Sequence, residues 1–166
     1  MSDFLMRPAL FAWACIGLLS TSVFAAAHEH PMLRICIDVT CTFAHSLDLN
    51  DLEEMEQASF ATSTIWTEGT IEFHGVPLRA LLDHADFTSG TLELTAINDY
   101  YVEIPVDEAR DSLALIAYRM DGELMSTRDK GPLWLVYPFD SDAKFQSEIY
   151  YSKSIWQIDH IKLLPE

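Results

Sequence analysis

Two short runs constrain this chain more than any other feature. Asn98-Asp99-Tyr100-Tyr101-Val102-Glu103-Ile104-Pro105 and Arg128-Asp129-Lys130-Gly131-Pro132-Leu133-Trp134-Leu135-Val136-Tyr137-Pro138 each set charged groups beside a strand-like apolar segment. Between them, Met120-Asp121-Gly122-Glu123 is a hairpin signal. The rest of the chain follows the same habit of short strands and abrupt turns. Residues 32–39 are rich in β-branched and apolar side chains and predict a first strand. Asn50, with Glu53 three residues on, predicts a capping box opening a short helix that runs to Gln57. Residues 60–66 and 70–73 predict a hairpin around Glu68-Gly69, and Pro77 is expected at the first position of a helix burying Leu78, Leu81, Leu82 and Ala85. Residues 92–97 and 101–104 predict strands on either side of the Asn98-Asp99 turn. Residues 105–111 predict a turn or short helical piece, and 113–118 a strand buried on both faces. Residues 133–137 are expected to form a central strand and 155–163 the closing one. Strands dominate and helices are few, which makes this an α+β domain of mixed and antiparallel sheets.

Residues 1–27 have the pattern of an export signal. Arg7 supplies a basic start, residues 9–19 an apolar core, and Ala25-Ala26-Ala27 a small-residue cleavage site. The apolar run ends at Ser20-Thr21-Ser22, short of a membrane span; an uncleaved anchor is the alternative. The expectation is a soluble periplasmic domain over residues 28–166, with no membrane insertion after cleavage. The formal net charge is −16, and Asp3 and Arg7 cancel within the signal. Such a chain repels nucleic acid and anionic membrane, and an anionic ligand would need a local basic pocket. Export leaves Cys36 and Cys41 as the mature cysteines. Five extended residues would hold their Cα atoms about 17 Å apart, so a disulfide requires a turn around residues 38–40. That pairing stays open. No nucleophile elbow, phosphate-cradling glycine loop or zinc-type spacing is present.

Four runs taken together carry a resemblance: residues 60–66 (Phe-Ala-Thr-Ser-Thr-Ile-Trp), Asn98-Asp99-Tyr100, Arg128-Asp129-Lys130-Gly131-Pro132 and Ser154-Ile155-Trp156-Gln157. The chain resembles the sulfite oxidase-type molybdopterin-binding domain, and among its members the small exported molybdopterin-dependent oxidoreductases, over residues 47–164. The resemblance implies that fold and a pterin site. In the family, a strand placed like residues 62–67 carries the thiolate that ligates molybdenum; here that stretch holds hydroxyls and a tryptophan. Serine and threonine oxygens are poor substitutes for a soft thiolate. A pterin or molybdopterin-like ligand is therefore expected, and molybdenum is not. Some proteins of this kind look like periplasmic pterin receptors. The resemblance thus implies a signalling partner, the periplasmic domain of a membrane-bound cyclic-di-GMP enzyme.

Under that resemblance the candidate pterin-binding residues are Trp66, Asp99, Tyr100, Arg128, Asp129, Trp134 and Tyr151. Trp66, Trp134 and Trp156 are candidates for stacking, against the plain alternative of core filling. Trp66 is favoured because it ends a predicted strand beside a polar turn, and Trp134 follows Gly131-Pro132 directly. A carboxylate can accept both N–H donors of a pterin's amino-pyrimidinone edge, and an arginine can answer its carbonyl. Asp99 or Asp129 would take the first role and Arg128 the second. Asp99 is equally suited to an Asx turn, and Arg128-Asp129-Lys130 to a solvated charge cluster. Tyr151 sits in a run, 150–154, that would contact a ligand side chain or form an ordinary loop. Arg79 is oriented to pocket or solvent. His28-Glu29-His30, at a terminus freed by cleavage, suits a square-planar Cu(II) or Ni(II) site or an incidental tail. No catalytic or metal-ligating residue is assigned. Three functions stand: a pterin-binding signalling module, a molybdopterin oxidoreductase, and a ligand-free interaction scaffold.

Overall fold

The computed structural model describes residues 31–36, 40–42 and 44–165. The predicted export segment and His28-Glu29-His30 lie outside them. The described residues form two sheets. In the first, β1 (Leu33–Cys36), β2 (Ala44–Leu47), β5 (Thr91–Ala96), β6 (Tyr101–Pro105) and β10 (Ile158–Leu164) run in the order β2-β1-β10-β5-β6. All neighbours are antiparallel except β1 and β10, a parallel pair from opposite ends of the chain. In the second sheet, β3 (Ala58–Ser63), β4 (Thr70–Pro77), β7 (Leu115–Met120) and β8 (Glu123–Leu124) follow in order, and β9 (Trp134–Val136) pairs with β7. The helices are short: α1 (Leu49–Glu54), α2 (Leu78–His84), α3 (Val106–Asp111) and α4 (Glu148–Lys153). The fold is α+β, as expected. No helix among the described residues is long and apolar enough to cross a membrane.

The elements move from their predicted bounds for local chemical reasons. The strand expected over 60–66 spans Ala58–Ser63 and pairs with β4 from Ala58 opposite Gly75 to Ser63 opposite Thr70. Thr64 ends it: its Oγ1 accepts the Trp66 N–H at 3.0 Å and lies 2.8 Å from Thr67 Oγ1. Side-chain hydroxyls have replaced the ladder, and Trp66 sits in the resulting turn. Helix α1 is capped by Asp48, not Asn50. Asp48 accepts from Asp51 N–H, and Asp51 accepts from Asp48 N–H, a capping box two residues earlier than expected. Pro77 is the N-cap of α2, one residue outside it, and Leu78, Leu81 and Leu82 are buried as predicted.

Strand β7 begins at Leu115, leaving Leu113 exposed, while residues 115–118 are buried. At the register shift between β4 and β7, a Cβ on Gly75 would lie 2.1 Å from Ile116 O. Only glycine lets the two backbones approach there. Strand β9 is fully buried but is not a central strand of a ladder. It pairs with β7 on one side and on the other takes single bonds, Leu135 N–H to Ile155 O and Ile158 N–H to Leu133 O. Those bonds tie the second sheet to the start of β10, in the first. Helix α4 covers most of the 150–154 run, for which the sequence offers an ordinary loop. It lacks an apolar period and has no fully buried residue, yet Lys153 pairs with Glu108 of α3 at 2.5 Å, and Tyr150 meets Tyr137 at 4.9 Å. Cys36 and Cys41 form a disulfide with Cα atoms 4.8 Å apart, so the chain reverses between β1 and β2.

Candidate functional site

Where β9 ties the two sheets together, aromatic rings gather. Trp66 lies 5.8 Å from Trp134, 6.2 Å from Phe139, 5.8 Å from Tyr151 and 5.7 Å from Trp156, ring centre to ring centre. Every one of these contacts is edge-on, so none of the four rings stacks parallel on Trp66. The segment bearing Trp66 is pinned at the end of β3. Asp140, after β9, accepts the Ser63 N–H at 2.5 Å and the Ser63 hydroxyl at 2.7 Å. The Asp140 N–H in turn donates to Thr62 Oγ1 at 3.0 Å. Its neighbour Phe139 packs on both Trp66 and Tyr151.

The hydrogen bonds from Ser63, the backbone one foremost, hold the Asp140 carboxyl below the ordinary carboxylate range. A carboxylate with a depressed folded pKa adds stability above its unfolded value, near 4, and loses it as pH falls through the folded value. Wild type is therefore expected to be more stable than Asp140→Asn at pH 6 and no more stable at the acid end, as read from urea midpoints across that range. A difference independent of pH would contradict the clamp's ionic character.

The facing wall comes from the turn between β5 and β6. Asn98 Oδ1 accepts the Tyr100 N–H at 3.2 Å, and Ala96 N–H donates to Tyr100 O at 2.8 Å. A third wall is the segment from α4 to β10. Together they enclose a cavity of about 280 Å³ whose lining includes Trp66, Asn98, Tyr100, Tyr151, Trp156 and Gln157. No ionisable acid or base lines it besides the two tyrosines. The cavity thus suits a flat, uncharged group with hydrogen-bonding edges.

Three of the seven predicted residues meet there: Trp66, Tyr100 and Tyr151. Trp134 is 0 % exposed and does not line the cavity; it backs Trp66 and gives its indole N–H to Ser154 O at 3.1 Å. Asp99 is the exposed left-handed residue of the turn, with φ at +64°, and lies outside the lining. Arg128 is exposed on the 126–131 loop, where its backbone N–H bonds Ser126 Oγ. Asp129 borders a shallower depression on Trp66 and Trp156, paired with Lys130 at 3.1 Å. Arg79 pairs with Glu56 on the surface. Asn98 and Gln157 were missed as site residues, although both stand in runs that the sequence singles out. Trp156, 37 % exposed, is the second accessible indole.

The oxidoreductase molybdopterin-binding domain profile matches residues 28–145. The chain belongs to that family. No curated protein matches it. The match ends before α4, so Tyr151, Trp156 and Gln157 lie beyond it. Among the described residues, the donors this molybdopterin-binding domain presents near Trp66 do not fit molybdenum. Cys36, in the other sheet, is bonded to Cys41, Thr62 Oγ1 receives the Asp140 N–H, and Ser63 Oγ donates to the Asp140 carboxylate. No group of three or more His, Cys, Asp or Glu side chains placed to hold a metal ion gathers among the described residues. The aromatic cavity, in contrast, has the lining for a flat heterocycle.

Proposed function

We propose that this domain is a periplasmic binding module that holds a pterin without molybdenum. One observation carries the reading: a cavity walled by Trp66, Trp156, Tyr100 and Tyr151 adjoins a strand end that offers only hydroxyls where a metal would need a thiolate. Stacking on an accessible indole contributes about 1–3 kcal/mol to a flat heterocycle. Binding needs no chemistry from the chain. The consequence of binding is then transmitted to a partner, in this reading the periplasmic domain of a membrane-bound cyclic-di-GMP enzyme. Ile65 and Ile97, more than half exposed beside the aromatic cluster, support the presence of such a contact.

The family match favours a second reading, a molybdopterin oxidoreductase whose metal site a partner completes. Protein isolated from its native periplasm separates the two. The expected result is one pterin per chain, recovered as a fluorescent oxidised product, without stoichiometric molybdenum. Molybdenum at one atom per chain would establish the oxidoreductase, and a chain with neither would be a scaffold.

A further inference from the structure

Gln157 is held by four hydrogen bonds that leave one of its atoms free. Its backbone lies at φ +55°, a left-handed conformation that glutamine adopts only when the surroundings enforce it. The enforcement is visible. Its N–H donates to Lys130 O at 3.1 Å, and its carbonyl accepts from Ile97 N–H at 3.0 Å. The side-chain Nε2 donates to Thr127 O at 2.9 Å and to Asp129 O at 3.1 Å. Those two carbonyls decide which way the amide points, since only its NH2 end has hydrogens to give. Turned over, Oε1 would face two carbonyl oxygens. Both Nε2 hydrogens are engaged, so Oε1 remains as a pure acceptor on a residue that lines the cavity.

Asn98, on the same cavity, shows the complementary arrangement. Its Oδ1 takes the Tyr100 N–H, which leaves the Nδ2 group as a donor. The Ile97–Gln157 backbone bond keeps the two amides on adjoining segments. An immobilised acceptor and a donor therefore belong to residues that line one cavity with aromatic rings, and neither is charged.

We propose that Gln157 is the specificity-determining residue of the cavity. Its Oε1 accepts from the adjacent amino and ring N–H groups of an amino-pyrimidinone edge, and Asn98 Nδ2 donates to the neighbouring carbonyl. This rests on the pterin reading above, and it gives these two amides the part first expected of Asp99, Asp129 and Arg128.

Calorimetry with 6-methyltetrahydropterin and 6-methyltetrahydrolumazine, under anaerobic conditions, tests it. The lumazine carries an oxo group in place of the 2-amino group, setting an acceptor against Oε1. Wild type should prefer the pterin by about tenfold or more, as a site built to hydrogen-bond a donor rejects the analogue lacking it. Gln157→Ala should cut that preference to about threefold or less, mainly by weakening the pterin. Equal binding of both compounds by wild type would overturn the proposal, whether or not the variant folds. So would Gln157→Ala weakening both by one factor, which is the signature of loop positioning alone. If wild type binds neither compound, the pterin reading itself fails, and the proposal with it.

Discussion

Trp134→Ala is expected to remove about 3–5 kcal/mol of folding stability, the range for emptying a large aromatic site in a packed core. The indole is fully buried, meets Phe73 at 5.3 Å and Trp66 at 5.8 Å, and bonds Ser154 O through its N–H. Truncation would open a void between the sheets and leave a buried carbonyl without its donor. It would also loosen the junction at which β9 bridges to Trp156. A domain of ordinary stability has about 5–15 kcal/mol in all, so the variant should be marginal. Trp134→Phe keeps much of the packing but still orphans the Ser154 carbonyl, at about 1–3 kcal/mol. Urea midpoints measure both. A wild-type midpoint for Trp134→Ala would show that this ring does not hold the two sheets together.

Trp66→Ala is expected to weaken pterin binding by about ten- to hundredfold, the equivalent of about 1–3 kcal/mol of lost stacking. Trp66 has four edge-on aromatic neighbours and no parallel one, so a planar ligand would supply the stacking partner these rings lack. Its partial burial means the substitution also costs some packing, and the Trp156→Ala variant separates the two effects. Trp156 is 37 % exposed, so its loss should weaken binding with a smaller change in the urea midpoint. Unchanged affinity in both variants would exclude the indoles as the ligand's platform.

Much of this was legible in the chain because strands and turns write themselves locally. The turn at Asn98-Asp99 placed β5 and β6 to within a residue, and the Asp121-Gly122 turn marked the end of β7, whose bounds lie two residues beyond the predicted run. Strand β8, only two residues long, had no strand signal of its own. What escaped was set by distant partners. Trp66 leaves β3 through hydroxyl contacts that Asp140, 77 residues away from Ser63, reinforces. Gln157 is aimed by the carbonyls of Thr127 and Asp129, and its left-handed backbone has no signature in Ser-Ile-Trp-Gln. Charge misled in one respect. Carboxylates and an arginine are chemically apt for a pterin edge, but Asp99 and Arg128 face solvent, and the cavity is lined by amides and hydroxyls instead. The indole nearest the Gly-Pro run, Trp134, turned inward to join two sheets that the sequence could not show meeting.

The most direct measurement is a calorimetric titration of metal-free wild-type protein with 6-methyltetrahydropterin. The proposed pterin site predicts saturable one-to-one binding without added molybdenum, lost or sharply weakened in Trp66→Ala. Absence of binding in wild type, or binding that appears only once molybdenum is supplied, would contradict a metal-independent pterin site.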